Sequence, residues 1–200
     1  MMGIVDGTTV VTTLPPEHPR ASFGLNRGDR VTIQAFQDFE MAADHPVVVG
    51  QFMVSQAGTG IPTGWPGGDP SFILVPPVDQ YRKVYVFLTP DKYSFDFVNI
   101  IAEPGTQILL DNAPLPPECV TTAASSSGQW NVIRCQLSFP VIDESTAPPT
   151  ILPGALCGTS QCGDGVHTIE ADRPIGAIVS GVDSYVSYGY PAGADLERTF

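Results

Sequence analysis

The chain has 200 residues, 42% of them hydrophobic and only 15% charged, with 20 glycines and 20 prolines; this is enough apolar content for one large or two small cores, in a mixture that punctuates short strands and disfavours long helices. Its formal net charge of −12 repels phosphate backbones and anionic lipid, and no Lys/Arg cluster reverses that locally, which argues against nucleic acid as a partner. No window reaches the roughly 18 apolar residues that cross a bilayer, so membrane insertion is not expected, and MMGIVDGTTVV is too short and polar for a signal peptide.

In chain order, period-two runs of β-branched and aromatic residues predict strands at TTVVTTL (8–14), RVTIQAFQDFEM (30–41), PVVVGQFMVS (46–55) and FILVPP (72–77). Between the last two, the Gly/Pro stretch QAGTGIPTGWPGGDP has no periodicity and reads as a loop. Beyond Pro77 the predicted strands are RKVYVFL (82–88), SFDFVNIIA (94–102), TQILLDN (106–112), WNVIRCQLS (130–138), GVHTIEA (165–171), IGAIVSGV (175–182) and YVSYGY (185–190). SFPVIDESTAPPTILPGALCG (138–158) carries too many prolines for a central strand and reads as a surface excursion. No segment sustains a helical period, and strands at this spacing point to an all-β chain of β-sandwich or jelly-roll type.

The strands fall into an apparent internal repeat. VDGTTVVTTLPP (5–16) matches EPGTQILLDNAPLPP (103–117), GDRVTIQAFQDFEMAAD (28–44) matches GDGVHTIEAD (163–172), and AADHPVVVGQF (42–52) matches EADRPIGAIVSG (170–181). Three blocks in one order predict two related β-modules, 1–77 and 78–200. In each, Asp-X-Pro is expected to turn the chain into a strand of small apolar residues; His45 and Arg173 at the X position argue against a shared catalytic role there. The first copy lacks counterparts of RKVYVFL and SFDFVNIIA, which suggests a chain that begins inside a larger protein.

Four cysteines bear on the compartment. Cys119 and Cys135 flank a Ser/Thr/Gly-rich segment between predicted strands, and Cys157 and Cys162 bracket a four-residue loop. Of three possible connectivities, 119–135 with 157–162 is favoured because each closes a local loop, the larger worth about 3 kcal/mol in the chain-entropy model. The other readings are a metal site from Cys157, Cys162, His167 and Asp164, which lacks a C-x-x-C pair, and a reduced quartet.

The strong catalytic signatures are absent: there is no G-x-S-x-G elbow, H-E-x-x-H, phosphate loop or dinucleotide fingerprint, so no catalytic residue, metal or cofactor is assigned. The alternative is a hydrolase site from Ser184, His167 and Asp183, although Asp183 and Ser184 alternate faces in a regular strand. Arg27-Gly28-Asp29 invites an adhesion reading, but CGDG stands at the matching place in the second copy, so a tight turn explains it. Asp143, Glu144, Asp164 and Asp172 follow no calcium-loop spacing. Tyr185, Tyr188, Tyr190 and Trp65 are the candidate binding residues; Tyr188 and Tyr190 share one strand face and Tyr185 takes the other, so part of the set must be core.

Three blocks carry a family resemblance: GDPS (68–71), TPDKYSFDF (89–97) and SGVDSYVSYGYPAG (180–193). With the sequence around them, from about Gly28 to Leu196, they resemble the N-terminal domain family of IgG Fc-binding protein, in its bacterial secreted and surface members. That resemblance implies an extracellular or cell-surface adhesion, binding or matrix module, non-catalytic, with a protein or glycan ligand. It transfers no catalytic residue and does not transfer IgG binding. GDPS is also similar to the GDPH sequence at which some mucin-type domains cleave themselves, with Ser71 in place of the histidine.

Overall fold

In a computed structural model of the protein, the described residues are 1–59, 61, 65–139, 142–143, 145–147, 150–151 and 164–196. The fold is all-β. The first strands are β1 (Met2–Gly3), β2 (Thr8–Thr12), β3 (Ser22–Leu25), β4 (Met41–Ala43), β5 (Val47–Val48), β6 (Gly50–Phe52) and β7 (Phe72–Leu74). They are followed by β8 (Arg82–Thr89), β9 (Phe95–Ala102), β10 (Ile108–Leu110), β11 (Ala113–Pro114), β12 (Val120–Ala123), β13 (Asn131–Ser138), β14 (Ile142–Asp143), β15 (Thr150–Ile151), β16 (Gly165–Asp183) and β17 (Val186–Pro191). Helix among the described residues is confined to one turn at Gln56–Thr59 and a 3-10 turn at Val78–Gln80.

An eight-stranded sheet built on β16 dominates. The first part of β16 pairs with β10 on one edge and β8 on the other; its second part pairs with β9 and β17, and β13 and β12 extend the sheet beyond β9. The sheet curls on itself because β9 buries every second residue, Asp96, Val98, Ile100 and Ala102, toward side chains from the β8 and β10 side. Tyr85, Phe87, Ile108 and Leu110 meet Val98, Ile100, Ile133 and Val179 in one core, each large apolar side chain contributing about 1.5–3 kcal/mol of transfer free energy.

Asp172-Arg173-Pro174 does not end a strand, contrary to the pattern in the sequence. β16 runs through it, and the pairing register shifts between Glu170 and Ile175 as the strand passes from one part of the curl to the other. Strands that change sheets do so at bends or bulges, and a proline with no N–H to donate suits that corner. Tyr85 braces it: its buried hydroxyl donates to the Ile175 carbonyl at 2.5 Å and accepts the Arg82 amide at 3.0 Å.

Other bonds around this corner have counterparts in the first part of the chain. The Thr9 amide donates to Asp44 Oδ1 at 2.7 Å and the Asp44 amide returns to the Thr9 carbonyl at 3.2 Å; Gln107 and Asp172 make the same pair of bonds at 2.9 and 3.2 Å. Val10 stands opposite Ala43 as Ile108 stands opposite Ala171. The Glu40 amide donates to Thr13 Oγ1, as that of Thr168 does to Asp111 Oδ1. The Val75 amide donates to the Val49 carbonyl at 3.0 Å, as that of Ala192 does to the Ala177 carbonyl at 2.8 Å.

Several predicted strands are shorter than their patterns. Residues 31–40 form none: Phe36 is 95% exposed, and Asp38 and Glu40 reach sideways, Asp38 to Arg134 and Thr122, Glu40 to the Ser125 and Ser127 hydroxyls. Gly165–Glu170, at the matching place, has β8 along its flank; no described strand pairs with 36–40 through its backbone, and side-chain bonds replace the ladder. The run 46–55 gives β5 and β6, whose partners are β1 and β7. TQILLDN stops at Leu110 because Asp111 (φ 52°) and Asn112 (φ 64°) form the two-residue turn into β11, with the positive φ values of a tight hairpin.

Cys119 and Cys135 form a disulfide with Cα atoms 4.4 Å apart, tying the start of β12 to the middle of β13. Cys157 and Cys162 lie outside the described residues, as do Glu144 and most of the predicted excursion.

Candidate functional site

The three blocks that carry the resemblance meet in space. Gly68, at φ +72°, donates its amide to the Asp183 carbonyl at 3.0 Å, and a Cβ there would collide with the Ser187 hydroxyl and Val182. GDPS is thus pressed against the end of β16, and residues 66–71 form no turn. Asp183 in turn accepts from the Ser94 amide at 3.0 Å and its hydroxyl at 2.8 Å, which closes the turn before β9. Asp96 and Tyr188 both stand opposite Gly181, on either side of β16, and the Tyr188 hydroxyl donates to Asp96 Oδ1 at 2.5 Å. Asp96 is fully buried; burial pushes its carboxyl up to about 6, against the Tyr188 hydrogen bond, which favours the charged form. Burial, and then Asp96 itself, raise the Tyr188 hydroxyl well above the ordinary tyrosine value.

A second polar cluster lies under β16. The Asp111 carboxylate accepts the His167 Nδ1–H at 2.7 Å, leaving Nε2 to pair with the Thr89 hydroxyl at 3.1 Å. Carboxylate, imidazole and hydroxyl in that order resemble a hydrolytic relay. Thr89 is 1% exposed, however, and Phe87 stacks on the His167 ring at 5.2 Å, so no substrate carbonyl reaches the hydroxyl. The trio ties β8, the β10–β11 turn and β16 together. Ser184, His167 and Asp183 do not assemble: Asp183 is engaged by Ser94 and by the Ser184 amide, and His167 by Asp111.

On the opposite face of β9 an open apolar groove of about 670 Å³ runs between that strand and the chain after β6. Phe95 and Phe97 form its floor with rings nearly parallel, 6.4 Å apart, and Trp65 stacks on Phe95 at 6.5 Å. Gln51, Phe52, Met53 and Val54 form one wall, and Gln136 and Val182 complete the other side. Phe52 is 70% and Val54 60% exposed. Of the four sequence-derived binding residues, Trp65 belongs to this groove. Tyr188 and Tyr190 direct their hydroxyls to Asp96 and to the Leu88 carbonyl, and Tyr185, 81% exposed at φ 62°, sits at the tip of the β16–β17 turn. The groove aromatics Phe95 and Phe97 lie in FDF, where alternation puts them on the face away from Asp96; that outward pair was the legible signal for the site.

The remaining candidates are held by local structure. Gly28 takes φ +83° and Asp29 accepts the Asn26 amide at 2.8 Å, so the RGD segment is a tight turn. Asp143 accepts from Ser145, Asp164 from Ser138 and Asp172 from Gln107. Among the described residues, no three His, Cys, Asp or Glu side chains gather as metal ligands, and no helix is long and apolar enough to cross a membrane.

The fold is an all-β scaffold with an aromatic groove on its outer face. The family model described as IgGFc binding protein matches residues 1–181, and the chain belongs to that family. None of the curated proteins and none of the solved structures matches it.

Proposed function

We propose that the chain is an extracellular or cell-surface adhesion or matrix module, non-catalytic, which binds a protein ligand in the groove walled by Phe52 and Val54 and floored by Trp65, Phe95 and Phe97. The observation that carries this reading is the groove itself: exposed, aromatic and almost free of charge, the chemistry of an interface centre rather than of a reaction site. Membership of a family described as IgGFc binding protein supports a protein ligand, and the Cys119–Cys135 disulfide supports an oxidising compartment. Tyr185, at the tip of its turn, extends the candidate contact surface. Recurrence of the Thr9–Asp44 bonds at Gln107–Asp172 supports two related β-modules, 1–77 and 78–200.

The test is interferometry of the immobilised chain against a panel of secreted proteins, IgG Fc included, with a glycan array in parallel. Binding of a protein that weakens at least tenfold in Trp65→Ala and Phe97→Ala is expected. Binding to glycans alone would replace the protein ligand. Covalent labelling by a fluorophosphonate probe, lost in Ser184→Ala or Thr89→Val, would instead establish the hydrolase reading.

A further inference from the structure

Among the described residues Asp96 is the fully buried acid, at 0% exposure, and none of their ion pairs includes it. Its Oδ1 accepts the Tyr188 hydroxyl at 2.5 Å, but the buried Oδ2 meets no hydrogen-bond donor. A carboxylate oxygen cut off from water is retained where something positive takes the water's place.

What stands beside this carboxylate is set by β13. Its register against β9 runs Gln136↔Phe97 and then Ser138↔Asp96, so Leu137 is the extra residue of a bulge, and Leu137 and Ser138 are both buried. In an unbroken register a leucine would lie next to Asp96; the bulge re-aims the strand and puts a hydroxyl there. That hydroxyl is 0% exposed and donates to Asp164 Oδ1 at 2.9 Å, at the entry to β16. Asp164 in turn acts on Asp96: after burial, its negative charge is the influence that pushes the Asp96 carboxyl up. Tyr188 and Ser138 each have one proton to give, and neither goes to Asp96 Oδ2. The His167 ring is turned to Asp111 and Thr89.

Two carboxylates around one buried hydroxyl make an all-oxygen donor set, the chemistry of a hard cation. We propose that Asp96 Oδ2, Ser138 Oγ and Asp164 bind a calcium ion between β9, β13 and the start of β16. The Ser138 oxygen coordinates through a lone pair while its proton remains directed at Asp164. Three protein ligands from three segments form an irregular shell, which calcium accepts and magnesium, with its demand for a near-ideal octahedron, does not. With two carboxylates the affinity is that of extracellular modules, a Kd of about 0.1–1 mM. The ligands follow no loop spacing because they are far apart in sequence, and the bulge at Leu137 is invisible before the pairing is known. The site lies on the face of β9 opposite the groove and is independent of the groove reading.

The test uses the whole chain, stripped with EDTA and desalted at pH 7.5. Calcium is titrated while unfolding midpoints are followed by circular dichroism, and terbium luminescence excited through tyrosine reports occupancy directly. A saturable rise in midpoint of about 5 °C is expected at ~10 mM calcium, with terbium bound one to one and displaced by calcium. Magnesium at the same concentration and sodium chloride at matched ionic strength should not reproduce the rise. Asp96→Asn and Asp164→Asn should each weaken calcium at least tenfold, and Asp143→Asn, at an exposed acid elsewhere, should leave it unchanged. Should Asp96→Asn lose its native circular dichroism, Asp164→Asn decides, since Asp164 is only partly buried. No saturable response, a rise retained in full by Asp164→Asn, or an equal rise with magnesium or sodium chloride, as general screening of a net charge of −12 would give, would overturn the proposal.

Discussion

Tyr188 reaches across Gly181 to Asp96. Both partners stand opposite that glycine on the two flanking strands, and a Cβ on it would collide with the tyrosine ring and lie 2.5 Å from Asp96 Oδ1. The missing side chain is therefore what lets β17 bond to β9 over the top of β16. Gly181→Ala should destabilise by about 3 kcal/mol, as overpacking and loss of a charged hydrogen bond act together. Urea unfolding measures it; a loss under 1 kcal/mol would mean that the ring finds another path.

The same carboxylate makes stability fall as pH rises. Asp96 titrates at about 6 in the folded chain against an ordinary 3.8, so between those values the native state binds the extra proton and unfolding grows easier with pH. Its favourable contribution is complete below 3.8 and lost by the time pH passes 6, a swing of up to about 3 kcal/mol. Asp96→Asn should flatten this part of the profile. Unfolding midpoints from pH 3.5 to 7.5 for both proteins test it, and parallel profiles would show that other groups set the slope.

The alternation of β8, β9 and β13 was legible because each buries one face, so period two is written directly into VYVF, FDFVNII and VIRCQL. The run 31–40 alternates too, but alternation states only what a strand would do if a neighbour paired with it; none of the described strands pairs with residues 36–40. Asp172-Arg173-Pro174 looked like a terminus because proline forbids a ladder bond, whereas a strand changing sheets needs such a position in its interior. The site was half legible. Trp65 stood out as an aromatic in a loop, but the role of Phe52 depends on which edge β6 leaves open, and that is decided by pairing with β7 some twenty residues away.

The Cys119–Cys135 bridge closes a loop spanning 16 positions and buries Cys135 in the main core. Its removal in the double variant Cys119→Ser/Cys135→Ser should cost about 3 kcal/mol, chiefly by freeing the unfolded chain. Denaturant midpoints with and without reductant give the same comparison in a Cys157→Ser/Cys162→Ser background, where this bridge alone can be reduced. A reductant-insensitive midpoint would mean that the unfolded state is already compact between the two positions.

Asp44 and Asp172 each hold an amide of the neighbouring strand just before the corner, Thr9 and Gln107 respectively. The Thr9 amide, helped by the His45 ring, keeps the Asp44 carboxyl below the usual carboxylate range. A depressed folded value means that this tie is fully present above the ordinary 3.8 and is lost as pH falls through the lowered one. At neutral pH, Asp44→Ala should speed hydrogen exchange at Thr9 and leave Gln107 unchanged, and Asp172→Ala should do the reverse. Asn at either position keeps an acceptor oxygen and should restore part of the protection. Such paired, local responses are what two independent corners of the same design require. If either alanine variant instead loosened both amides equally, the two corners would be parts of one cooperative unit, and the division near Pro77 would have no meaning for stability.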